Sequence, residues 1–152
     1  MTSASVGFHC PECVAQGRAS VRPVHTALGA RVISRPWVTL MLIAMNVVVY
    51  GVEILLGQSA VSDKAAMIPA EIAVYDQYYR LVTSMFVHYG LLHIGFNMLV
   101  LWMLGPQLES ILGHLRFGVL FLVAGLGGSI ASFWFSSPMV SAAGASGAIF
   151  GL

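Results

Sequence analysis

Long apolar stretches separated by shorter polar ones set the pattern of this chain. The first runs from Trp37 to Leu56, the second from Leu92 to Leu108 and the third from Phe117 to Phe135; a fourth begins at Ala143 and stops at Leu152. A helix needs about 20 apolar residues to cross a bilayer, so the first three read as spans. The ten residues of the fourth rise only about 15 Å, roughly half the hydrocarbon thickness. That stretch reads as an incomplete span, and the sequence as a fragment of a longer protein. The pattern predicts an all-α, polytopic transmembrane bundle over residues 36–152, truncated in its fourth span. Residues 1–35 are polar and basic, lack a sustained apolar period and show no signal-peptide core, so they read as a separate tail.

Composition points the same way. Charged residues make up 9% of the chain and hydrophobic ones 58%, against roughly 25% charged in soluble domains. A soluble protein of this size could not cover itself with so few charges. Arg18, Arg22, Arg31 and Arg35 precede the first span with only Glu12 against them, which places the N-terminus in the cytoplasm of a multi-pass cell-membrane protein. The loop from Gly57 to Leu91 then lies outside, the turn from Gly105 to Arg116 inside, and the Ser136–Ala142 link outside. Within the first outer loop, Ala70–Tyr79 (AEIAVYDQYY) reads as a short helix lying on the interface, where tyrosines are favoured.

Against this apolar background a few polar residues stand out. Ser146 lies in Gly144-Ala145-Ser146-Gly147, flanked by glycines that let two backbones approach. His88, His93 and Asn97 lie in the run HYGLLHIGFN at the start of the second span. Polar groups are costly in hydrocarbon, so they suggest function there. His93 and Asn97 stack on one helix face at the i, i+4 spacing, which suits two donors aimed at one oxyanion. The predicted topology sets them at the depth of Ser146. The plainer reading is interhelical hydrogen bonding, with Gly147-x-x-x-Gly151 and the Gly125, Gly127, Gly128, Ser129 patch as close-packing surfaces. On the residues alone, an intramembrane hydrolase and a non-catalytic helical membrane protein both account for the pattern.

The tail carries His9-Cys10-Pro11-Glu12-Cys13, a single Cys-x-x-Cys, with His25 further on. A structural zinc site needs four ligands, and one pair supplies two, so no metal is expected to be bound by this chain alone.

Four runs together resemble the rhomboid intramembrane serine proteases. They are Tyr79-Arg80 with the following residues to His88, then Leu92-His93-Ile94-Gly95-Phe96-Asn97-Met98, Leu104-Gly105-Pro106-Gln107-Leu108-Glu109, and Gly144-Ala145-Ser146-Gly147. Family members carry an aromatic-Arg pair, His-x-x-x-Asn, Gly-x-x-x-Glu and Gly-x-Ser-Gly in this order. The resemblance implies that Ser146 is the nucleophile and that His93 and Asn97 bind the oxyanion with the Ser146 amide. It further implies that Gly144 lets substrate backbone approach, that His88 helps hold water, and that Arg80 and Glu109 are structural. The general base would be a histidine on a later span, beyond Leu152, so the chain alone is expected to be inactive. The implied partners are transmembrane protein substrates and the lipid bilayer, with no nucleic acid. A non-catalytic rhomboid-like protein that binds transmembrane clients is the alternative. The tail resembles half of a Cys-rich, zinc-ribbon-like module of bacterial, actinobacterial-type members, in which Cys10 and Cys13 would form half of a zinc site in a longer parent.

Overall fold

The computed structural model describes residues 2–3, 7–20, 25–26, 28–29 and 33–152. Arg22 and Arg31, part of the basic cluster used to orient the chain, lie outside the described residues, as do residues 4–6 of the tail. The described tail holds a two-residue antiparallel pair, β1 (Thr2–Ser3) with β2 (Phe8–His9), followed by helix α1 (Pro11–Ser20). The remaining regular elements among the described residues are helices.

Among the described residues, three helices are long and apolar enough to cross a membrane: α2 (Trp37–Leu56), α6 (Leu91–Leu112) and α7 (His114–Phe135). Between α2 and α6 lie the short helices α3 (Gln58–Ala65), α4 (Pro69–Tyr75) and α5 (Arg80–Thr83). A final helix, α8 (Ser146–Phe150), ends the chain. Leu55, Leu91, Leu92, Leu115 and Phe135 are among the large apolar side chains left exposed on the long helices, as expected of surfaces that meet lipid rather than water.

Helix α2 coincides with the expected first span, whereas α6 and α7 outrun theirs. The stretch from Gly105 to Leu112 was expected as a turn but continues α6, and α7 begins at His114 rather than Phe117. Gly105 stays helical because it is a contact surface: a methyl group there would fall 2.6 Å from Thr39 Cγ2, so its absence lets α6 lie against α2. Pro106 lacks one backbone donor, yet a helix packed among neighbours tolerates that loss. The reversal between the two helices falls on Gly113 alone, whose φ of +81° suits a residue without Cβ. The fourth stretch is shorter than expected, since residues 143–145 are not helical and α8 has five residues. The interfacial helix is trimmed too. It ends at Tyr75, where Asp76 turns left-handed at φ 56°.

Buried positions on each long helix follow the helical period. On α6 they are Ile94, Asn97, Leu101, Gly105 and Glu109, and on α7 Phe117, Phe121 and Gly125, each set forming one stripe. The core of Leu42, Met85, Leu101, Phe117, Phe121, Ala145, Ala148 and Ile149 gathers beneath α8. Glycines bring α7 and α8 together: a methyl on Gly128 would sit 3.0 Å from Gly147 Cα, and one on Gly151 2.5 Å from Ala124 Cβ. Gly127, counted in the same patch from sequence, faces open space.

Glu109 closes the end of the bundle away from α8. The start of α2 has no side-chain cap of its own, so its first amides need outside acceptors. Glu109 supplies them, accepting from Val38 N at 2.9 Å, Thr39 N at 2.8 Å and Thr39 Oγ1 at 2.6 Å while fully buried. A carboxylate there also complements the helix dipole. His114 Nδ1 contacts the same carboxylate.

Candidate active site

The segment leading into α8 is fixed by what it touches. Ala142 pairs with Met67 as an isolated antiparallel bridge, and Gly144 N donates to Ser84 O at 2.8 Å. Ala145 N donates to His88 Nε2 at 3.4 Å. Gly144 has φ +117°, and a methyl there would fall 2.6 Å from His93 Cε1 and 2.7 Å from its Nε2. Only glycine meets both demands. The backbone just before Ser146 therefore lies against the edge of the His93 ring.

Hydrogen bonds assign both imidazole tautomers. Tyr89 N donates to His93 Nδ1 at 3.3 Å, so in the neutral ring the proton sits on Nε2, the atom facing residue 144. His88 is the reverse: Nε2 accepts from Ala145, so Nδ1 carries the proton and donates to Phe86 O at 3.1 Å. The two rings are 5.1 Å apart. His88 has no exposed surface. Burial, with the nearby His93 second, pushes its pKa down from the ordinary 6.5 to about 4, so it is neutral near pH 7.

Asn97 Nδ2 donates back to His93 O at 2.9 Å, which fixes the amide on the same face as the imidazole. The amide carries a second N–H, and its nitrogen lies 3.7 Å from the Cβ position of residue 144. His93, Asn97 and Ser146 line one groove of about 220 Å³, completed by Phe96, Val100, Ile149 and Phe150. Ser146 also borders a second, smaller cavity of about 100 Å³ on the α7 side, lined by Ser84, Ser129, Ser132 and the small residues around them. Residues distant in sequence thus meet at the first residue of α8: Ser146, His93, Asn97, Gly144 and, one shell behind them, His88.

Arg80 and Glu109 lie elsewhere. Arg80 is buried between α3 and α5, donating through Nε to Gln77 Oε1 at 2.6 Å, through Nη1 to Ala66 O at 2.8 Å and through Nη2 to Asp63 O at 2.8 Å. Glu109 stands twelve positions beyond Asn97 on α6, roughly 18 Å along the axis.

Residues 75–152 match the model of the Rhomboid domain family, a stretch that includes His88, His93, Asn97, Gly144 and Ser146. The chain belongs to the rhomboid family. Rhomboid relatives include the rhomboid protease GluP of Bacillus subtilis, 38% identical over 120 residues that make up 77% of this chain and 23% of that protein. RHOMBOID-like protein 2 of Arabidopsis thaliana is 46% identical over 76 residues, 50% of this chain and 24% of that protein. Rhomboid-type serine protease 2 of Emericella nidulans is 36% identical over 77 residues, 51% of this chain and 15% of that protein. This rhomboid chain spans about a quarter or less of the length of these relatives.

Several polar residues around the rhomboid site escaped the sequence reading. Glu53 lies fully buried inside the first span and receives the His88 backbone N–H. Asn46, two turns before it, is buried with Nδ2 on Leu42 O and with Oδ1 unpartnered. Ser84 and Ser129 contact each other through their hydroxyls at 3.3 Å beside Ser146's second cavity. The signal for Glu53 was available: it is a charge within an otherwise apolar span. Ser84 carried none, and Ser129 was read only as part of a close-packing patch, because serine is common in membrane helices as packing glue.

Among the described residues, no group of three or more His, Cys, Asp and Glu is placed to hold a metal. Cys10 and Cys13 are free thiols at the start of α1, where Cys13 N donates to Cys10 Sγ at 3.1 Å. A hydrogen bond between the two thiols lowers the pKa of Cys10 and raises that of Cys13.

Proposed function

We propose that this chain carries the nucleophile and oxyanion-binding side chains of an intramembrane serine endopeptidase that cleaves transmembrane proteins. The observation that carries the reading is the shared groove. Ser146 opens α8 and lines the same groove as His93 and Asn97, while Gly144, two residues before it, lies against the Nε2 edge of His93. In acyl transfer the serine oxygen attacks a peptide carbonyl, and the oxygen of that carbonyl gains charge in the tetrahedral intermediate. Donors fixed beforehand around that oxygen stabilise it without reorganising. Here those donors are His93 Nε2–H, the free N–H of Asn97 and the Ser146 amide. Serine at its ordinary pKa also needs a general base. His88 does not suit the role, because its Nε2 lone pair is occupied by the Ala145 amide and its Nδ1 by Phe86. The base in this reading is a histidine beyond Leu152, as the family resemblance implies.

The site-bearing ends of α6 and α8 face the outside of the cell membrane in this reading, with the N-terminus in the cytoplasm. Substrates enter from the bilayer as extended transmembrane segments. The test is cleavage of a single-span substrate by the native gene product in liposomes. Ser146→Ala should abolish cleavage while leaving expression and thermal unfolding unchanged; cleavage persisting in that variant would remove Ser146 from the nucleophile's role.

A further inference from the structure

Glu53 is a carboxylate within a membrane span that the proposed reaction does not use. It sits one turn from the end of α2 with no exposed surface, and ionisable groups in such positions are rare, because they are costly there unless paired. Its oxygens lie 3.2 and 3.3 Å from His88 N, which donates to them. The opposite side of the same residue is held by Gln58, whose Nε2 donates to His88 O at 2.7 Å. Both backbone polar atoms of His88 are thus held, the N–H by the end of α2 and the carbonyl by the start of α3. The ring contacts other segments, Phe86 and the approach to α8. With Nδ1–H fixed on Phe86 O, its Nε2 can only accept, and it accepts from Ala145 N, the amide immediately before Ser146.

We infer that Glu53 is a positioning residue for Ser146, acting through His88 to set the Ala145–Ser146 backbone against His93 and Asn97. The inference rests on the reading of Ser146 as nucleophile. Glu53 touches no reacting atom. Its part is to accept the buried backbone N–H of His88 in the turn that carries the imidazole. A leucine there would leave that N–H buried without a partner, a costly state that the turn would relieve by moving. Because the imidazole moves with its backbone, the Ala145 amide would move with it. A misplacement of about 1 Å at a reacting group can cost about a hundredfold in rate. Glutamine keeps a carbonyl oxygen where the carboxylate was, so it should preserve the geometry without the charge.

The test uses the native gene product in liposomes, with kcat and KM measured on a single-span substrate, and thermal unfolding recorded for every variant. Glu53→Leu should lower kcat about 10- to 100-fold with KM little changed, and Glu53→Gln should recover most of that loss. If the effect runs through His88, the two sites are coupled rather than additive. Glu53→Leu should then remove little further activity from His88→Ala. Glu53→Asp, which retracts the carboxylate by one methylene, serves the same comparison if the leucine variant does not fold, and should give an intermediate kcat. The inference is overturned if Glu53→Leu, or Glu53→Asp in its place, lowers the unfolding temperature but leaves kcat of the folded enzyme intact. It is equally overturned if the losses at Glu53 and His88 add. Neither result bears on Ser146, whose own role fails only if Ser146→Ala still cleaves.

Discussion

The Cα of Gly144 and the ring of His93 are so close that a methyl on residue 144 would fall 2.7 Å from His93 Nε2. This contact sets the distance between α6 and the approach to α8, and it makes the glycine a part of the site rather than a spacer.

Gly144→Ala should therefore damage the site twice, by forcing a side chain onto a φ of +117° and by driving the His93 edge away. The expected outcome is a loss of at least about a hundredfold in kcat/KM, measured on a transmembrane substrate. Gly127→Ala is the control. It faces open space, so it should leave activity unaltered.

His93→Ala and Asn97→Ala each remove one donor from the groove that holds Ser146. Each should lower kcat about 10- to 1000-fold, the range for losing an oxyanion donor, without abolishing the reaction. Steady-state kinetics on both variants checks this. Asn97→Ala also removes the hydrogen bond to His93 O, so the double variant should lose less than the product of the two single losses.

Much of this site was legible in sequence, and the reasons are physical. Ser146, His93 and Asn97 stand out because polar groups in apolar sequence are few, and i, i+4 spacing puts two of them on one face. The three long helices were legible by length and apolarity. The reversal between α6 and α7 was not, because Gly105 and Pro106 look like a turn until Thr39 is seen to fill the space that Gly105 leaves. The α3–α5 region was legible only in part: Arg80 organises it through backbone carbonyls of residues 63 and 66, and carbonyls carry no sequence signature. Glu53 and His88 could each be seen, but their pairing depends on a fold that brings the end of α2 to the turn before α6.

Glu109 predicts a stability effect far from Ser146. Glu109→Ala would leave the Val38 and Thr39 amides and the Thr39 hydroxyl without their acceptor. Each buried donor left unpaired costs about 1–3 kcal/mol. Thermal unfolding in detergent should show a large drop for Glu109→Ala and a smaller one for Glu109→Gln, which retains one carbonyl oxygen. His114→Ala should cost less than either, since His114 is partly exposed.

Acid should destabilise the fold through His88. Its pKa in the folded protein is pushed down to about 4 from 6.5, so between those values the unfolded chain binds the proton and the folded one does not. Stability from this group is fully present above about pH 6.5 and is lost progressively as pH falls toward 4. Protonation also removes the acceptor for Ala145 N. Unfolding temperature measured from pH 7 to 4 should fall in the wild type and fall less steeply in His88→Gln, whose amide does not titrate.

The claim on which the rest depends is that Ser146 is the activated nucleophile. Labelling of the native gene product with a fluorophosphonate probe, followed by mass-spectrometric mapping, tests it most directly. The account predicts a single modified serine, Ser146, with labelling abolished in Ser146→Ala and slowed in His93→Ala. Labelling that maps to another serine, or that survives unchanged in Ser146→Ala, would contradict it.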